Sequence, residues 1–307
     1  MFDKIIVPLD GSLLSEQIVP YAGALAKGMH IPVELLHVVD PNIERVDDPE
    51  EIAHPVFYDQ LLEHRQTWAK VYLQGVTQRL EANGIVAEPR VVVGVPEHEI
   101  VEIAGGAQLV AMATHGRAGI ERMVMGSVAD KVLHEGKMPL LLFHPRNHRA
   151  ATTGSPRTIV VALDGSVFAE RALALAQYMA RAVGARLLLV RVVVPAYSYA
   201  LATPEVVAFG TYTDAMTLAR TETRSYLAYL EERVRDMRGT GLEVQSLMLE
   251  GHPAHELVRL ASTTPDSLMV MTTHGRSGIS RTILGSVADV VVRRAGTPVL
   301  LLRAMNG

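Results

Sequence analysis

The sequence predicts an α/β protein made of two doubly wound domains, each with a five-stranded parallel sheet. The chain has 307 residues, which fits two domains of about 150 residues each. A long internal repeat divides it into two halves, and each half alternates short apolar runs with longer helical patterns. Apolar runs separated by helices are typical of parallel strands covered on both faces, and right-handed crossovers then give a doubly wound sheet.

The internal repeat rests on three pairs of matching segments, which are 3–12 with 157–166, 114–120 with 273–279, and 126–130 with 285–289. The offset is 154 residues at the first pair and 159 at the other two, so the second copy carries a small net insertion. This period is too long for a solenoid repeat, so each copy is expected to be a whole domain. We place the first domain at 1–146, a polar linker at 147–156 and the second domain at 157–307.

The first copy contains five short β-rich apolar runs, which predict strands at Lys4–Leu9, Pro32–Val39, Val86–Val93, Gln108–Ala113 and Pro139–Phe143. Helices are predicted between them at Ser12–Lys27, Phe57–Ala82, Glu97–Ala104 and Ser127–His134. We expect Ser12 to cap the first helix and Gly28 to end it.

The second copy has the same pattern, with strands predicted near Thr158–Leu163, Ala185–Val193, Leu242–Leu249, Ser267–Thr272 and Pro298–Leu302. The copies differ most in Asn42–Tyr58 and Pro195–Thr213. We interpret these two segments as ordinary variable loops, with lids over a site or interface surfaces as the alternatives.

Composition excludes several classes of protein. Apolar residues make up 49% of the chain and charged residues 20%, which indicates a globular protein and not a disordered one. The net charge of −4 argues against a dedicated nucleic-acid binder, and the absence of cysteine removes disulfides and thiol chemistry. No apolar run is long enough to span a bilayer, and residues 1–7 lack the pattern of a secretory signal, so we expect a cytoplasmic protein without a membrane partner.

Two loops in each copy stand where a ligand is expected, and the second of them is suited to bind an anion. Ligands of an open parallel sheet bind beyond the carboxyl ends of its strands. Asp10-Gly11-Ser12 follows the first strand there, and Gly116 is followed after nine residues by Gly126-Ser127, which opens a helix. Glycines and a helix N-terminus offer unpaired N–H groups and partial positive charge to a phosphate. A single loop of this kind is more often structural, but its repetition in the second copy favours anion binding.

Together with residues 37–41 and 94–100, these motifs resemble the universal stress protein family in its tandem form, over nearly the whole chain. Nucleotide-binding members of that family carry Gly, two residues, Gly, nine residues, then Gly-Ser or Gly-Thr. Ala113 and Thr272 stand here at the place of the first glycine. The resemblance implies a Rossmann-like sheet of strand order 3-2-1-4-5 and binding of an adenine nucleotide, ATP, with Mg²⁺ held by the phosphates and one aspartate.

The resemblance also implies roles for individual residues. Asp10 and Asp164 would contact the ribose or a metal-bound phosphate, and Val38 and Val192 would offer backbone groups to adenine. The phosphates would be held by backbone N–H groups and hydroxyls of Gly116, Gly126, Ser127 and Val128, and of Gly275, Gly285, Ser286 and Val287. The implied loops further include Ala113, His115, Thr272 and His274. Because Arg191 replaces His37, the two adenine pockets are expected to differ.

The resemblance implies an assembly as well. Edge strands of family members pair across a two-fold axis, so Pro139–Phe143 and Pro298–Leu302 are expected to pair as an internal pseudo-dimer, which would cover two exposed edges. A further homodimer and an unidentified protein partner stay open.

Two other functions stay open. If the changed first glycine marks a loss of nucleotide binding, the chain is a scaffold that acts through dimerisation or partner docking. If Asp10 and Ser12 support phosphoryl chemistry, the chain is a slow ATPase. We assign no catalytic residue, because neither copy has a Walker lysine or a His-Arg-Asp loop. His98 and His255 recur near helix starts without the spacing of metal ligands, so no protein metal site is predicted.

Overall fold

The structure is a computed structural model, which describes residues 2–42, 55–105, 108–114, 125–144, 154–194, 212–273 and 285–303. Its contacts divide the chain into two compact units, the first reaching Ser155 and the second beginning at Pro156. None of the helices in the described ranges has both the length and the apolar character needed to cross a membrane.

The first unit contains a parallel sheet built from continuous apolar runs. Its described strands are β1 Ile5–Pro8, β2 Val33–Val39, β3 Ala87–Val93, β4 Leu109–Ala113 and β5 Leu140–Phe143. Their order is β3-β2-β1-β4-β5, and neighbouring strands are parallel. All side chains of β4 and β5 are buried, as expected for strands that are covered on both faces.

The helices of the first unit connect these strands. They are a 3₁₀ helix at Ser15–Ile18 followed by α1 Val19–Met29, α2 Pro55–Glu81, α3 Pro96–Ala104 and α4 Ser127–Glu135. Helix α3 begins with Pro96, whose missing N–H costs nothing in the first turn of a helix.

The second unit has the same arrangement. Its described strands are β6 Thr158–Ala162, β7 Arg186–Val193, β8 Val244–Glu250, β9 Ser267–Thr272 and β10 Val299–Leu302. Its helices are α5 Val167–Val183, α6 Tyr212–Asp236, α7 Pro253–Thr263 and α8 Ser286–Arg294. The strand order β10-β9-β6-β7-β8 repeats that of the first unit, again with parallel neighbours.

Both units therefore have a switch point beside the central strand. The chain leaves β1 toward β2 and later returns to β4 on the other side, and it leaves β6 toward β7 and returns to β9. Ligands of doubly wound sheets bind at the carboxyl ends of the strands at such a point. The predicted fold class and the strand order 3-2-1-4-5 are confirmed, whereas the pairing of the two units stays a prediction.

The predicted start and end of the first helix were wrong. The α-helix begins at Val19 and not near Ser12, because Pro20 lacks an N–H and favours a first-turn position. It continues through Gly28 to Met29, and His30 follows in a left-handed conformation with a φ of 59°. In the second unit Ala174 stands at the position of Pro20, and α5 runs without interruption from Val167.

At the majority of the other strand and helix ends, the predicted boundary differs from the structure by one or two residues, and at the remaining ends the two agree. Most of the divergent segments 42–58 and 195–213, and most of the linker 147–156, lie outside the described residues.

Candidate functional site

The turn after β1, Asp10–Ser12, is held by its own polar groups. The Asp10 carboxylate accepts hydrogen bonds from the backbone N–H of Ser12 at 2.9 Å and from the Ser12 hydroxyl at 2.7 Å. Gly11 between them has a φ of 85°, a left-handed conformation that costs other residues roughly 1–2 kcal/mol. The carboxylate is thereby fixed at the carboxyl end of the central strand. We call Asp10–Ser12 and its counterpart Asp164–Ser166 the aspartate turns.

The second aspartate turn has a similar geometry. Asp164 accepts a hydrogen bond from the backbone N–H of Ser166 at 3.0 Å, and Gly165 has a φ of 80°. The Ser166 hydroxyl oxygen accepts from the Ala169 N–H at 3.2 Å, so Ser166 is the N-cap of α5. In the first unit the Ser12 hydroxyl oxygen instead accepts from the N–H at the start of the 3₁₀ helix.

The first turn of helix α4 carries backbone N–H groups that find no acceptor among the described residues. Its N-cap is Gly126, which has no side chain that could cap the helix. The first intrahelical bond runs from the Asp130 N–H to the Gly126 carbonyl at 2.9 Å. The N–H groups of Ser127, Val128 and Ala129 therefore make no hydrogen bond to the part of the chain that the structure describes.

Helix α8 repeats this arrangement. Gly285 is its N-cap, and the Asp289 N–H donates to the Gly285 carbonyl at 3.0 Å. Ser286, Val287 and Ala288 carry the corresponding N–H groups, for which no acceptor occurs within the described ranges. We call the N–H groups of 127–129 the first anion seat and those of 286–288 the second anion seat.

The N–H groups of the N-cap glycines were expected to hold phosphates, but in the structure they donate to carbonyls of the chain itself. The Gly126 N–H donates to the Thr114 carbonyl at 2.7 Å, and the Gly285 N–H donates to the Thr273 carbonyl at 2.9 Å. These bonds link the residue after β4 to the start of α4, and the residue after β9 to the start of α8. They therefore fix each helix start beside the end of a strand. Among the described residues of these helix starts, the N–H groups left without an acceptor are those of the two anion seats.

Val38 presents its backbone beyond the end of the central strand. Pro8 and Leu36 are the last paired residues of β1 and β2, and the Leu9 N–H donates to the Leu36 carbonyl at 2.8 Å. Alternate residues of a parallel strand direct their backbone groups at opposite neighbours. The next residue of β2 that faces β1 is therefore Val38, whose N–H and carbonyl point past the end of β1.

Val192 occupies the same register position in the second unit. The Leu163 N–H donates to the Val190 carbonyl at 2.8 Å, so Val192 is the next residue of β7 that faces β6. Both valines thus present a backbone donor and a backbone acceptor side by side, the pair that the edge of an adenine base requires.

The predicted site residues lie at neighbouring strand ends. Because β1 neighbours both β2 and β4, the sheet order brings Asp10, Val38 and the first anion seat to one edge, and the second unit does the same with its equivalents. Ala113 and Thr272 are the last residues of β4 and β9. Four predicted residues lie outside the described part of the chain, namely His115, Gly116, His274 and Gly275.

An aromatic cluster lies beside the first aspartate turn. Nδ1 of the buried His37 donates to the Leu9 carbonyl at 2.7 Å, since a carbonyl only accepts. The His37 ring meets Trp68 edge-on at 5.6 Å between centroids, and Trp68 stacks on Tyr72 at 5.3 Å. The Tyr72 hydroxyl is buried without a hydrogen bond in normal geometry to a described residue. Burial and the nearby Glu16 carboxylate raise the pKa of Tyr72.

A cationic cluster takes this place in the second unit. Arg191 is only 5% exposed, and its Cζ lies 3.7 Å from the centroid of the Tyr226 ring and 5.9 Å from that of Tyr229. The Tyr229 hydroxyl donates to the Glu170 carboxylate, and burial together with this carboxylate raises the pKa of Tyr229. Nε of Arg233 lies 4.0 Å from Glu170.

The motifs do not identify most of these cluster residues, although the sequence holds a signal for them. The offset of 154 residues continues beyond the aspartate turns and pairs Glu16 with Glu170, His37 with Arg191, Tyr72 with Tyr226, and Arg79 with Arg233. Both glutamates contact the paired arginine in the structure. An alignment of the two halves extended through α2 and α6 would have identified the duplicated network.

The recurring histidines lie apart from this edge. His98 and His255 are exposed, and the ring of His255 lies 5.4 Å from that of His252. Within the described ranges, no three or more His, Asp or Glu side chains come together in a way that could hold a metal ion.

Comparison with known proteins yields one family for both halves. A model of the Universal stress protein family matches residues 1–144 and, a second time, residues 156–303. A universal stress protein of Mycobacterium tuberculosis is 26% identical over 321 aligned residues, which cover 97% of this chain and 96% of the relative. Another, of Methanocaldococcus jannaschii, is 33% identical over 144 residues, which cover 46% of this chain and 82% of the relative.

A solved structure shares the fold over the full length. The universal stress protein from Archaeoglobus fulgidus DSM 4304 superposes with a TM-score of 0.70 at 22% identity and covers 99% of each chain. The family match covers nearly the whole chain in two consecutive copies. The chain therefore belongs to the universal stress protein family, in a tandem form with two family domains.

Proposed function

We propose that each unit binds an adenine nucleotide, with ATP as the ligand and Mg²⁺ carried by its phosphates. The observation that carries this proposal is the pair of anion seats, each beside an aspartate turn on the neighbouring strand. Unpaired N–H groups at a helix N-terminus need acceptors, and the helix dipole favours acceptors with negative charge. A phosphate tail supplies both, and the same arrangement in both units makes a chance origin a poor explanation.

The residues around each seat fit the remaining parts of such a ligand. Asp10 would accept from a ribose hydroxyl or hold a metal-bound phosphate, and the Val38 backbone would pair with the edge of adenine. Ser127 and Val128 would bind the phosphates through N–H groups and the Ser127 hydroxyl. The second unit offers the same set in Asp164, Val192, Ser286 and Val287. A nucleotide supplies a charge that changes with its phosphorylation state, so the chain would act as a nucleotide-dependent sensor or regulator in a cytoplasmic stress response.

Calorimetric titration of the full chain, stripped of small molecules, with Mg-ATP tests the proposal. We expect two binding events in the unmodified chain. Gly126→Asp places a carboxylate at the N-cap of α4, where it would cap the helix and occupy the first anion seat. We expect this variant to lose the first event by at least about a hundredfold in affinity, since both charge repulsion and competition for the N–H groups oppose the phosphate. Gly285→Asp is expected to remove the second event.

Gly239→Asp is the matched control. Gly239 follows α6, and a Cβ there meets nothing within 4 Å, so this variant adds the same charge in open space. Aspartate tolerates its left-handed conformation better than most residues do. The proposal is overturned if Mg-ATP gives neither heat nor a thermal shift, and if Gly126→Asp and Gly285→Asp behave like the unmodified chain.

A further inference from the structure

Arg191 is a buried cation in the second unit. It lies on β7, is 5% exposed, and its guanidinium stacks over the ring of Tyr226 at 3.7 Å. The stack covers one face of the guanidinium but uses none of its five N–H donors. The aromatic neighbours therefore contact the face of the guanidinium but accept no hydrogen bond from its N–H groups.

No described residue supplies the missing acceptors. None of them pairs with Arg191 in a hydrogen bond or an ion pair, and the neighbouring Glu170 already accepts from Tyr229 and lies beside Arg233. Arginine side chains that are this little exposed are normally paired with an acceptor. An anion from outside the chain would supply one.

The position of the guanidinium indicates where such an anion would bind. Nη1 of Arg191 lies 2.7 Å from the place where a Cβ on Gly165 would be, so it lies against the second aspartate turn. In the sheet, β7 and β9 flank β6 on opposite sides. Two strand spacings, about 10 Å, therefore separate the strand of Arg191 from the strand that leads to the second anion seat.

The first unit has a histidine where the second unit has Arg191. His37 takes this position, and its Nδ1–H already donates to the Leu9 carbonyl. The two sites thus share an anion seat and an aspartate turn, and among the described residues only the second unit adds a guanidinium beside that turn.

We propose that Arg191 binds a phosphate on the ribose of the nucleotide, so that the second unit selects a nucleotide with phosphates on both sides of its sugar. This inference rests on the proposed nucleotide binding and specifies the ligand of the second unit. In doubly wound nucleotide-binding sheets an acidic residue holds a free ribose hydroxyl, and a nearby arginine is the usual partner when that hydroxyl carries a phosphate. The guanidinium matches a phosphate in a bidentate manner, which an imidazole cannot do.

Three ligands with two phosphates each test this inference. ADP carries both phosphates in one tail, whereas adenosine 2′,5′-bisphosphate and adenosine 3′,5′-bisphosphate place one phosphate on each side of the ribose. We expect the second unit to bind one of the bisphosphates at least about tenfold more tightly than ADP, the size of a charge-assisted hydrogen bond. Calorimetry on the full chain gives both sites, and Gly285→Asp is expected to remove the site that shows the preference.

Variants of Arg191 identify the cause of the preference. Arg191→Gln and Arg191→His are expected to abolish the preference while ADP still binds, and Arg191→His carries the residue that the first unit has. Arg259→Gln is the matched control, because Arg259 is exposed and paired with Glu256 on α7. If Arg191→Gln does not fold, the comparison of ADP with the bisphosphates in the unmodified chain still decides the matter.

The outcomes separate this inference from the proposed function. ADP binding without a preference for either bisphosphate in the second unit, or a preference that survives Arg191→Gln, overturns the inference and leaves nucleotide binding intact. If none of the three ligands binds either unit, both the inference and the proposed function are wrong.

Discussion

The two units share a backbone and differ in the side chains that lie against it. Both have an aspartate turn with a left-handed glycine. In both, the helix that follows the neighbouring strand begins without a side-chain cap. Beside the turn, however, His37 donates to a carbonyl in the first unit, whereas Arg191 stacks on Tyr226 in the second. The comparison teaches that the backbone of the turn and of the helix start is common to both units, whereas the side chain beside the turn is specific to each.

The helix behind each turn provides the largest expected effect. Ala174 is exposed in the interior of α5, at the position where the first unit has Pro20. We expect Ala174→Pro to lower the free energy of unfolding of the second unit by about 3 kcal/mol, since proline removes a helical hydrogen bond and clashes with the preceding turn.

The reverse change, Pro20→Ala, is the matched control and is expected to cost less than about 1 kcal/mol. Urea unfolding followed by circular dichroism reports both units, and emission of Trp68, the single tryptophan of the chain, reports the first. Equal losses from the two variants would refute the role given to Pro20.

The contact between Gly165 and Arg191 provides the next effect. We expect Gly165→Ala to destabilise the second unit by about 2 kcal/mol, because a Cβ would be strained at this φ and would meet Nη1 of Arg191. The double variant with Arg191→Ala is expected to recover roughly 0.5–1 kcal/mol of the summed loss, which a double-mutant cycle in urea measures. Strict additivity would show that the guanidinium does not lie against the turn.

The buried tyrosines of the two clusters are expected to respond differently to removal of their hydroxyls. Tyr229→Phe removes the hydroxyl that donates to the Glu170 carboxylate and is expected to cost about 1.5 kcal/mol. Tyr72→Phe removes a buried hydroxyl that has no well-formed hydrogen bond to a described residue, so we expect a change below about 0.5 kcal/mol or a slight gain. Thermal unfolding of both variants checks the contrast, which would be refuted by a larger loss from Tyr72→Phe.

The smallest effect concerns the ends of α1 and α5. His30 and Gly184 both end their helices in the left-handed region, with φ values of 59° and 69°. His30→Gly is expected to stabilise the first unit by about 1 kcal/mol, and Gly184→His to destabilise the second by a similar amount. Urea midpoints measure both changes, and the prediction is wrong if the two variants shift them in the same direction.

Much of the fold was readable from the sequence, because apolar runs of four to eight residues separated by helices specify a covered parallel sheet. The start of α1 was predicted wrongly, because Pro20, eight residues after the capping signal of Ser12, determines where the α-helix begins. Its end was missed because His30 adopts a conformation that usually belongs to glycine.

The parts of the candidate site that consist of backbone groups could be predicted from the sequence. The duplicated motifs predicted the aspartate turns and the helix starts, but they could not show that the Gly126 N–H is taken by the Thr114 carbonyl. Contacts between distant segments, such as Arg191 with Tyr226, depend on how α6 packs on β7 and leave no short motif.

The central claim is that the two anion seats hold the phosphates, and the amide resonances of those residues test it most directly. Adding Mg-ATP to the ¹⁵N-labelled full chain should shift the signals of Ser127, Val128, Ser286 and Val287 far more than those of Ile5 and Thr158, which begin the central strands at the end of each sheet that is opposite the seats. The account is contradicted if calorimetry shows that the nucleotide binds while these four signals stay where they are.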